Sequence, residues 1–314
     1  MDSIGLEFEK PILEIEQRIV ELKELASFLS TDLSAEIEAL EKRLMKEKKL
    51  MYSNLTPWQK ILIVKQAHRP QSLDYINSLM ANKVELFGDR IYGDDPAIIS
   101  GLGKFRGYEL VFLGQEKGRD TKERLARNFG LMHPEGYRKA LRLMKLAEKF
   151  KKPVVTFVDT QGAHPGIEAE ERCQALAIAE NLAQMSALET PIVCIVIGEG
   201  GSGGALGIGV ADRILMLDNA IYSVCLPETC SKILRWGDEH VPDAAKALKL
   251  TADDLLELGV IDEVIKEPLG GAHRDPELTI YRVGRALKRS LDILTAMDTD
   301  ELLEKRYQKY RNIG

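Results

Sequence analysis

Cysteine is scarce in this chain. Four occur in 314 residues: Cys173, Cys194, Cys225 and Cys230. No two stand at the CxxC spacing of a zinc ribbon or a thioredoxin-type redox site. So few cysteines in so long a chain also argue against a disulfide framework. Cys194 lies inside an apolar run and reads as a small core residue. Long apolar runs are missing too, and no segment has the roughly 20 consecutive apolar residues of a membrane span. The opening MDSIGLEFEK lacks the basic and apolar regions of a signal peptide, so the expected location is the cytoplasm. Positive charge is not in excess: 43 Lys and Arg against 49 Asp and Glu leave a net charge of -6. That balance argues against general binding to nucleic acid or anionic membranes, and leaves a local basic patch open. There is no GxxxxGK[ST] phosphate loop, and no glycine fingerprint with the spacing and acidic partner of a dinucleotide site. No internal repeat or low-complexity linker breaks the chain.

What is abundant is glycine in one place. Seven of the twelve residues from Gly198 to Gly209 are glycine, in the run GEGGSGGALGIG. The run follows PIVCIVI, which reads as a buried strand. It precedes ALGIGVA, which is expected to continue as a tightly packed helix. A strand, a glycine turn and a helix start form a pocket for an oxygen that carries negative charge. The backbone can be approached closely there, and first-turn N–H groups have no intrahelical acceptor. A second loop, Gln161-Gly-Ala-His-Pro-Gly166, ends the strand VVTFVDT. In an open α/β sheet both loops fall on the ligand side, at the carboxyl ends of strands.

The rest of the chain reads as follows. Ile12, Ile15, Ile19 and Leu22 repeat at helical spacing, as do Ile37, Leu40 and Leu44 after a turn around Ser30–Ser34, so residues 1–55 predict a helical hairpin. That hairpin is either an amphipathic pair packed on its own domain or a docking arm for another subunit. Residues 56–314 form the main domain, with a helical tail. Thr56-Pro-Trp-Gln59 is a capping box that starts a helix. AIISGLGKF and YELVFLGQE flank the hairpin turn Arg106-Gly107. His133-Pro-Glu-Gly-Tyr137 opens a helix with Tyr137, Ala140, Leu141, Met144 and Ala147 on its apolar face. A helix is expected over about Ala169–Leu188, and RILMLDNAIYSV reads as one strand. Thr251 caps a short helix ending at Gly259, and VIDEVI follows. Alternating strands and helices predict an α/β core with parallel strands.

Other charged residues leave alternatives open. The cluster Lys117, Arg119, Lys122, Arg124 and Arg127 would suit phosphates or an acidic partner, or is a solvated helix face. Glu170, Glu171 and Glu199 could act as an acid–base pair in a hydratase, or cap helix starts and pair with Arg172.

The segments FGDRIYGDDPAIISG, GQEKGRDTKERLARNFG, HPEGYRKALRLMKLAEKF, DTQGAHPGIEAEER, IGEGGSGGALGIGVAD, AIYSVCLPETCSKIL and EPLGGAHRDP occur in order. Together with the KRYQKYRN tail they resemble the α-subunit family of bacterial-type acetyl-CoA carboxylase carboxyltransferases, over nearly the whole chain. The resemblance implies a crotonase-like (ClpP/crotonase) spiral of ββα units with an N-terminal helical extension. It implies transfer of a carboxyl group from carboxybiotin, borne by the biotin carboxyl carrier protein, to acetyl-CoA, giving malonyl-CoA. The implied partners are a carboxyltransferase β subunit carrying a zinc ribbon, in an α2β2 assembly, and biotin carboxylase. No metal is expected in this chain.

In that chemistry a biotin enolate and a thioester enolate each need donors aimed at an oxyanion, worth about 3–4 kcal/mol apiece. The expected donors for the biotin oxyanion are the backbone N–H groups of Gly203 and Gly204. Gly162, Ala163, His164, Gly166, Gly200 and Gly201 are expected to line the substrate. The biotin enolate serves as the base, so no catalytic side chain is required.

The sequence departs from the family pattern in five places. Gln161 stands where proline is common, His164 where tyrosine is usual, and Cys173 and Thr229 where glycine is common; Glu168 is also unusual. Thr229 draws most notice, because a β-branched residue tolerates positive φ poorly. Two other readings stay open. A stand-alone enoyl-CoA hydratase or isomerase of the same fold would carry a glutamate shortly after the glycines, where this chain has Ala205, Leu206 and Gly207. A non-catalytic scaffold would be expected to have an eroded glycine run.

Overall fold

The computed structural model describes residues 6–29 and 31–313. Ser30, in the predicted hairpin turn, lies outside the described residues, as do the first five residues of the opening segment. The hairpin helices run Lys10–Leu29 and Ser34–Tyr52. Ile12, Ile15, Ile19 and Leu22 are buried as their spacing predicts, whereas Ile37, Leu40 and Leu44 are half-buried. The hairpin base is closed by the Tyr52 hydroxyl, which donates to Glu9 Oε1 at 2.6 Å, and is tied to the body by Arg274 beside Glu9.

Eight strands form one sheet: β1 (Ala81–Glu85), β2 (Ile98–Phe105), β3 (Tyr108–Gln115), β4 (Val154–Thr160), β5 (Ile192–Gly201), β6 (Arg213–Leu217), β7 (Ile221–Ser223) and β8 (Glu263–Ile265). The order is β1-β2-β3-β4-β5-β6-β8. The first three strands are antiparallel, and the remaining pairs are parallel. The β2–β3 hairpin turns at Arg106 (φ 43°) and Gly107 (φ 93°). Two consecutive positive φ values give the primed turn that matches strand twist. β4 and β5 are buried along their whole length, which is why they read as continuous β-branched runs rather than alternating ones. The Thr56 hydroxyl accepts from Gln59 N, and the Pro134–Lys149 helix buries all five predicted apolar residues. Arg306, in the C-terminal helix Thr299–Arg311, is buried against Asp212. Among the described residues no helix is long and apolar enough to cross a membrane.

Three expectations need correction. RILMLDNAIYSV is two strands, β6 and β7, with a turn between them at which Ala220 N donates to Leu217 O. The break lets β6 pair with the first half of β5 while β7 pairs with its end, Glu199–Gly201. The helix expected over Ala169–Leu188 is two, Ile167–Glu171 and Gln174–Ala187. Cys173 between them is left-handed at φ 67°, which stops an α-helix. The helix after the glycine turn covers only Ser202–Leu206. Gly207 and Gly209 follow it in a turn, where the chain must reverse to enter β6.

Candidate active site

β4 and β5 end side by side, and their loops meet backbone to backbone. Thr160 pairs with Gly200 beyond a register shift that follows Val158. A Cβ added to Gly201 would lie 2.0 Å from Gln161 O. One added to Gly204 would lie 2.2 Å from the Gly162 carbonyl carbon. These two glycines therefore exist for close approach. Gly203 is different: an added Cβ would meet only Ile178, at 3.6 Å. Ser202 opens the short helix with φ 49°, a left-handed value that is strained for serine.

Buried side chains hold the carbonyls of this turn. Gln115 Nε2 donates to Gly204 O at 2.8 Å, and Gln115 Oε1 accepts from Asp159 N. Asn181 Nδ2 donates to Gly207 O at 2.8 Å and to Tyr137 O. Those bonds fix the peptides that carry the Ala205 and Ile208 N–H groups, whereas the peptide that carries the Gly204 N–H is fixed by Gly203 O, which accepts from Gly207 N at 3.0 Å; no side chain caps the first turn. Ser202 and Gly203 form a shared wall between two depressions. One is an apolar cleft of about 340 Å³ between Leu206, Tyr222, Val224 and Leu255. The other is a broad groove of about 800 Å³ along Gly162, Ala163, His164 and Ile178.

A charged cluster lies beneath a third, more polar depression that includes Gln161. Lys117 Nζ sits 2.6 Å from Asp159 Oδ1 and 2.5 Å from Glu199 Oε2. Gln161 Nε2 donates to Glu199 Oε1 at 3.2 Å. Burial alone would lower the Lys117 pKa, but Asp159 and Glu199 more than offset it and push it up to about 12. Burial alone would raise Glu199, but Lys117 holds it below the usual carboxylate range. Glu199 is thus a locked anion rather than a free acid or base. His164 and His133 stack with ring centroids 3.9 Å apart. Burial lowers both imidazole pKa values, and His133 adds to the lowering of His164.

The predicted site residues divide into groups. Gly162, Ala163 and Gly204 come together at the loop junction, and His164 and Gly203 line the groove. Gly200 and Gly201 end β5 and pair with β7; a Cβ on Gly200 would lie 2.8 Å from the Tyr222 ring. Gly166 is the N-cap of the helix Ile167–Glu171. The basic cluster disperses: Lys117 joins the carboxylates, Arg119 pairs with Asp74, and Arg127 donates to Pro96 O. Arg172 pairs with Glu135 and stacks over Tyr92, not with Glu170 or Glu171. Thr229 lies inside the helix Pro227–Ile233, so its feared left-handed loop does not exist. The strained departure is Cys173 instead. The supports Gln115, Asn181 and Tyr137, whose hydroxyl donates to Gly204 O at 3.4 Å, carry no sequence signal, because a polar group in an apolar run gives no sign of which distant carbonyl it will meet.

A sheet of ββα units with a glycine strand-to-helix turn facing a second loop defines an enzyme of the crotonase fold. Solved structures share it. One is a transcarboxylase 12S structure with methylmalonyl-coenzyme A and methylmalonic acid bound, with TM-score 0.60 and 17% identity over 74% of this chain. This chain spans 42% of the length of that one. Another is a Pseudomonas malonate decarboxylase hetero-tetramer in complex with coenzyme A, with TM-score 0.55, 16% identity, and 68% and 86% of the two chains covered. Residues 5–314 match the acetyl co-enzyme A carboxylase carboxyltransferase-like family, and the chain belongs to it. Relatives include the acetyl-coenzyme A carboxylase carboxyl transferase subunit alpha of Thermus thermophilus, 53% identical over 98% of both chains. The Bacillus subtilis subunit of the same name is 52% identical, over 98% of this chain and 95% of its own.

Proposed function

We propose that this chain is the α subunit of a multisubunit acetyl-CoA carboxylase carboxyltransferase. It catalyses carboxyl transfer from carboxybiotin, carried on the biotin carboxyl carrier protein, to acetyl-CoA, and malonyl-CoA is the product that fatty acid synthesis consumes. The observation that carries this reading is the glycine turn, intact at Ser202–Leu206 and uncapped, at the wall of two depressions, in a chain half identical to subunits of that name.

Carboxybiotin supplies the carboxyl group. The chain's own part is to bind and orient. The Gly203 and Gly204 N–H groups, the latter in a peptide whose carbonyl, Gly203 O, accepts from Gly207 N, face the oxygen that gains negative charge. Gly162, Ala163, His164 and Ile178 form the groove wall against which a bicyclic ring can rest. A zinc-ribbon β subunit completes the site in an α2β2 complex and holds most of the CoA, while biotin carboxylase reloads the carrier. The complex works in the cytoplasm. The N-terminal hairpin, residues 1–55, serves as a docking arm; its exposed Val20, Leu25, Phe28 and Met45 support that role.

A hydratase is disfavoured on two counts. Ala205, Leu206 and Gly207 follow the glycines where a carboxylate would be needed, and Glu199 is held by Lys117. The deciding assay is the reverse reaction, malonyl-CoA plus free biotin, on this chain alone and with its β subunit. Activity only in the mixture is expected. An inactive mixture, together with enoyl-CoA hydration by the chain alone, would replace this reading with the hydratase.

A further inference from the structure

Two of the departures, His164 and Glu168, meet at one place, with His133 as a third member. They arrive from separate elements. His133 is the N-cap of the helix Pro134–Lys149, and its N–H donates to Asp95 Oδ2 at 2.8 Å. His164 sits in the loop after β4, where its N–H donates to Met132 O and its carbonyl accepts from Gln174 Nε2. Glu168 lies in the first turn of the helix Ile167–Glu171. One Glu168 oxygen, Oε1, lies 3.5 Å from His164 Nδ1 and 3.9 Å from His133 Nε2. The three donor atoms fall within 4.8 Å of one another.

We propose that His133, His164 and Glu168 form a binding site for one divalent transition-metal ion, with zinc the first choice. Two imidazoles and a carboxylate suit Zn²⁺, Co²⁺ or Fe²⁺ rather than Mg²⁺ or Ca²⁺, which favour all-oxygen sets. Metal–ligand distances near 2.0–2.1 Å in a tetrahedral zinc site place donors about 3.3 Å apart. The 3.5 Å and 3.9 Å separations from Glu168 exceed that value, and the two imidazoles must give up their stack and turn their ring planes toward a common point before both lone pairs reach one ion. A supporting shell is in place. Asn128 Nδ2 lies 3.0 Å from His133 Nδ1. Turning that amide over offers its oxygen to Nδ1–H, the hydrogen bond that orients most metal-bound histidines. The ion must displace one bond, that from Gly166 N to His164 Nδ1. Glu168 is 54% exposed, so the site has an entry path and a free coordination position for water.

Occupancy would tie the loop carrying Gly162 and Ala163 to the start of the helix Pro134–Lys149, stiffening one wall of the groove beside Gly203. Metal binding by these residues does not depend on the carboxyltransferase reading, and its readout is binding rather than turnover.

The test uses the full-length, tag-free chain, stripped with chelator and titrated with Co²⁺. One equivalent is expected to give a visible absorption band, which Zn²⁺ then displaces. E168Q and H164F should each weaken Co²⁺ binding at least tenfold, and H240A should leave it unchanged. Thermal melts in parallel keep the result readable: Zn²⁺ should raise Tm of the wild type and not of E168Q, with equal metal-free melting temperatures. Three results would overturn the site. These are no band up to millimolar Co²⁺, an undiminished band in both variants, or the intense near-ultraviolet absorption of thiolate ligation, which would put the ion on Cys225 and Cys230.

Discussion

Gly204 is pressed so closely on Gly162 that a Cβ at position 204 would lie 2.2 Å from the Gly162 carbonyl carbon. Its neighbour Gly203 has open space on the same side, with Ile178 at 3.6 Å. The two glycines of the proposed oxyanion turn therefore answer to substitution in different ways. Gly204→Ala must push the Gln161–Gly166 loop aside, at about 1–3 kcal/mol or more, and should lower both Tm and turnover. Gly203→Ala should leave Tm level or slightly raised, since alanine favours a helix. Gly203→Leu should fill the groove and abolish turnover in a complex that still assembles. Wild-type turnover in Gly203→Leu would remove this residue from the site.

Glu116, the residue after β3, is buried, and its Oε2 accepts from Leu73 N at 2.8 Å. Burial pushes its pKa up to about 7. An acid raised in the folded state destabilises that state once ionised. The penalty is absent below the unfolded value of 4.5 and fully present above about 7. Stability from this group therefore falls as pH rises between those limits. Glu116→Gln keeps the acceptor and removes the charge. Its advantage over wild type should be near zero at pH 4 and on the order of 3 kcal/mol at pH 8. Urea unfolding at both pH values measures the gap, and parallel curves would mean Glu116 is solvated or otherwise paired.

Most of the architecture could be read from the chain because its signals are local. The Thr56 capping box, the Arg106-Gly107 turn and the apolar face from Tyr137 to Ala147 each depend on residues within one or two turns of each other. The glycine run marks the candidate site for the same reason. What escaped was set at long range. Ser202's left-handed backbone follows from β5 having to pair with β7 and then enter a helix at once. Gln115 spans 89 residues to reach Gly204. The fate of Glu199 was decided by Lys117, 82 residues away.

Cys173 illustrates a local signal read at the wrong position. Thr229 drew attention as a residue in place of glycine, yet it is helical, and Cys173 is the residue held at φ 67°. Left-handed backbone costs a non-glycine residue about 1–2 kcal/mol. The greater freedom of glycine in the unfolded chain takes back about 0.4–1 kcal/mol. Cys173→Gly should therefore gain roughly 0.5–1 kcal/mol, a rise of about 1–1.5 °C in Tm for a chain of this length. Cys173 is exposed, so little packing is lost. Cys173→Ala keeps the Cβ and should gain nothing, which separates backbone strain from any role of the thiol. An equal gain in both variants would refute the strain account.

A buried cation anchors the C-terminal helix, beside the Lys309–Asp262 pair and the Tyr310 hydroxyl at Ala211. Arg306 is 1% exposed, and its guanidinium donates to both Asp212 oxygens at 2.7 and 2.8 Å and to the carbonyls of Met185, Leu188 and Thr190. Asp212 in turn accepts from Ile192 N at the start of β5. The tail is thereby linked to the strand that ends in the glycine turn. Removing the cation leaves a buried carboxylate and three carbonyls without their donor, so Arg306→Met should cost about 3–5 kcal/mol. Arg306→Lys should recover little, because one ammonium cannot span a fork of five acceptors. The double variant Arg306→Met, Asp212→Asn should be less harmful than the sum of its parts, since the uncompensated charge is gone. A double-mutant cycle by denaturant unfolding measures that coupling. Strict additivity would mean that Arg306 anchors the tail through the carbonyls alone.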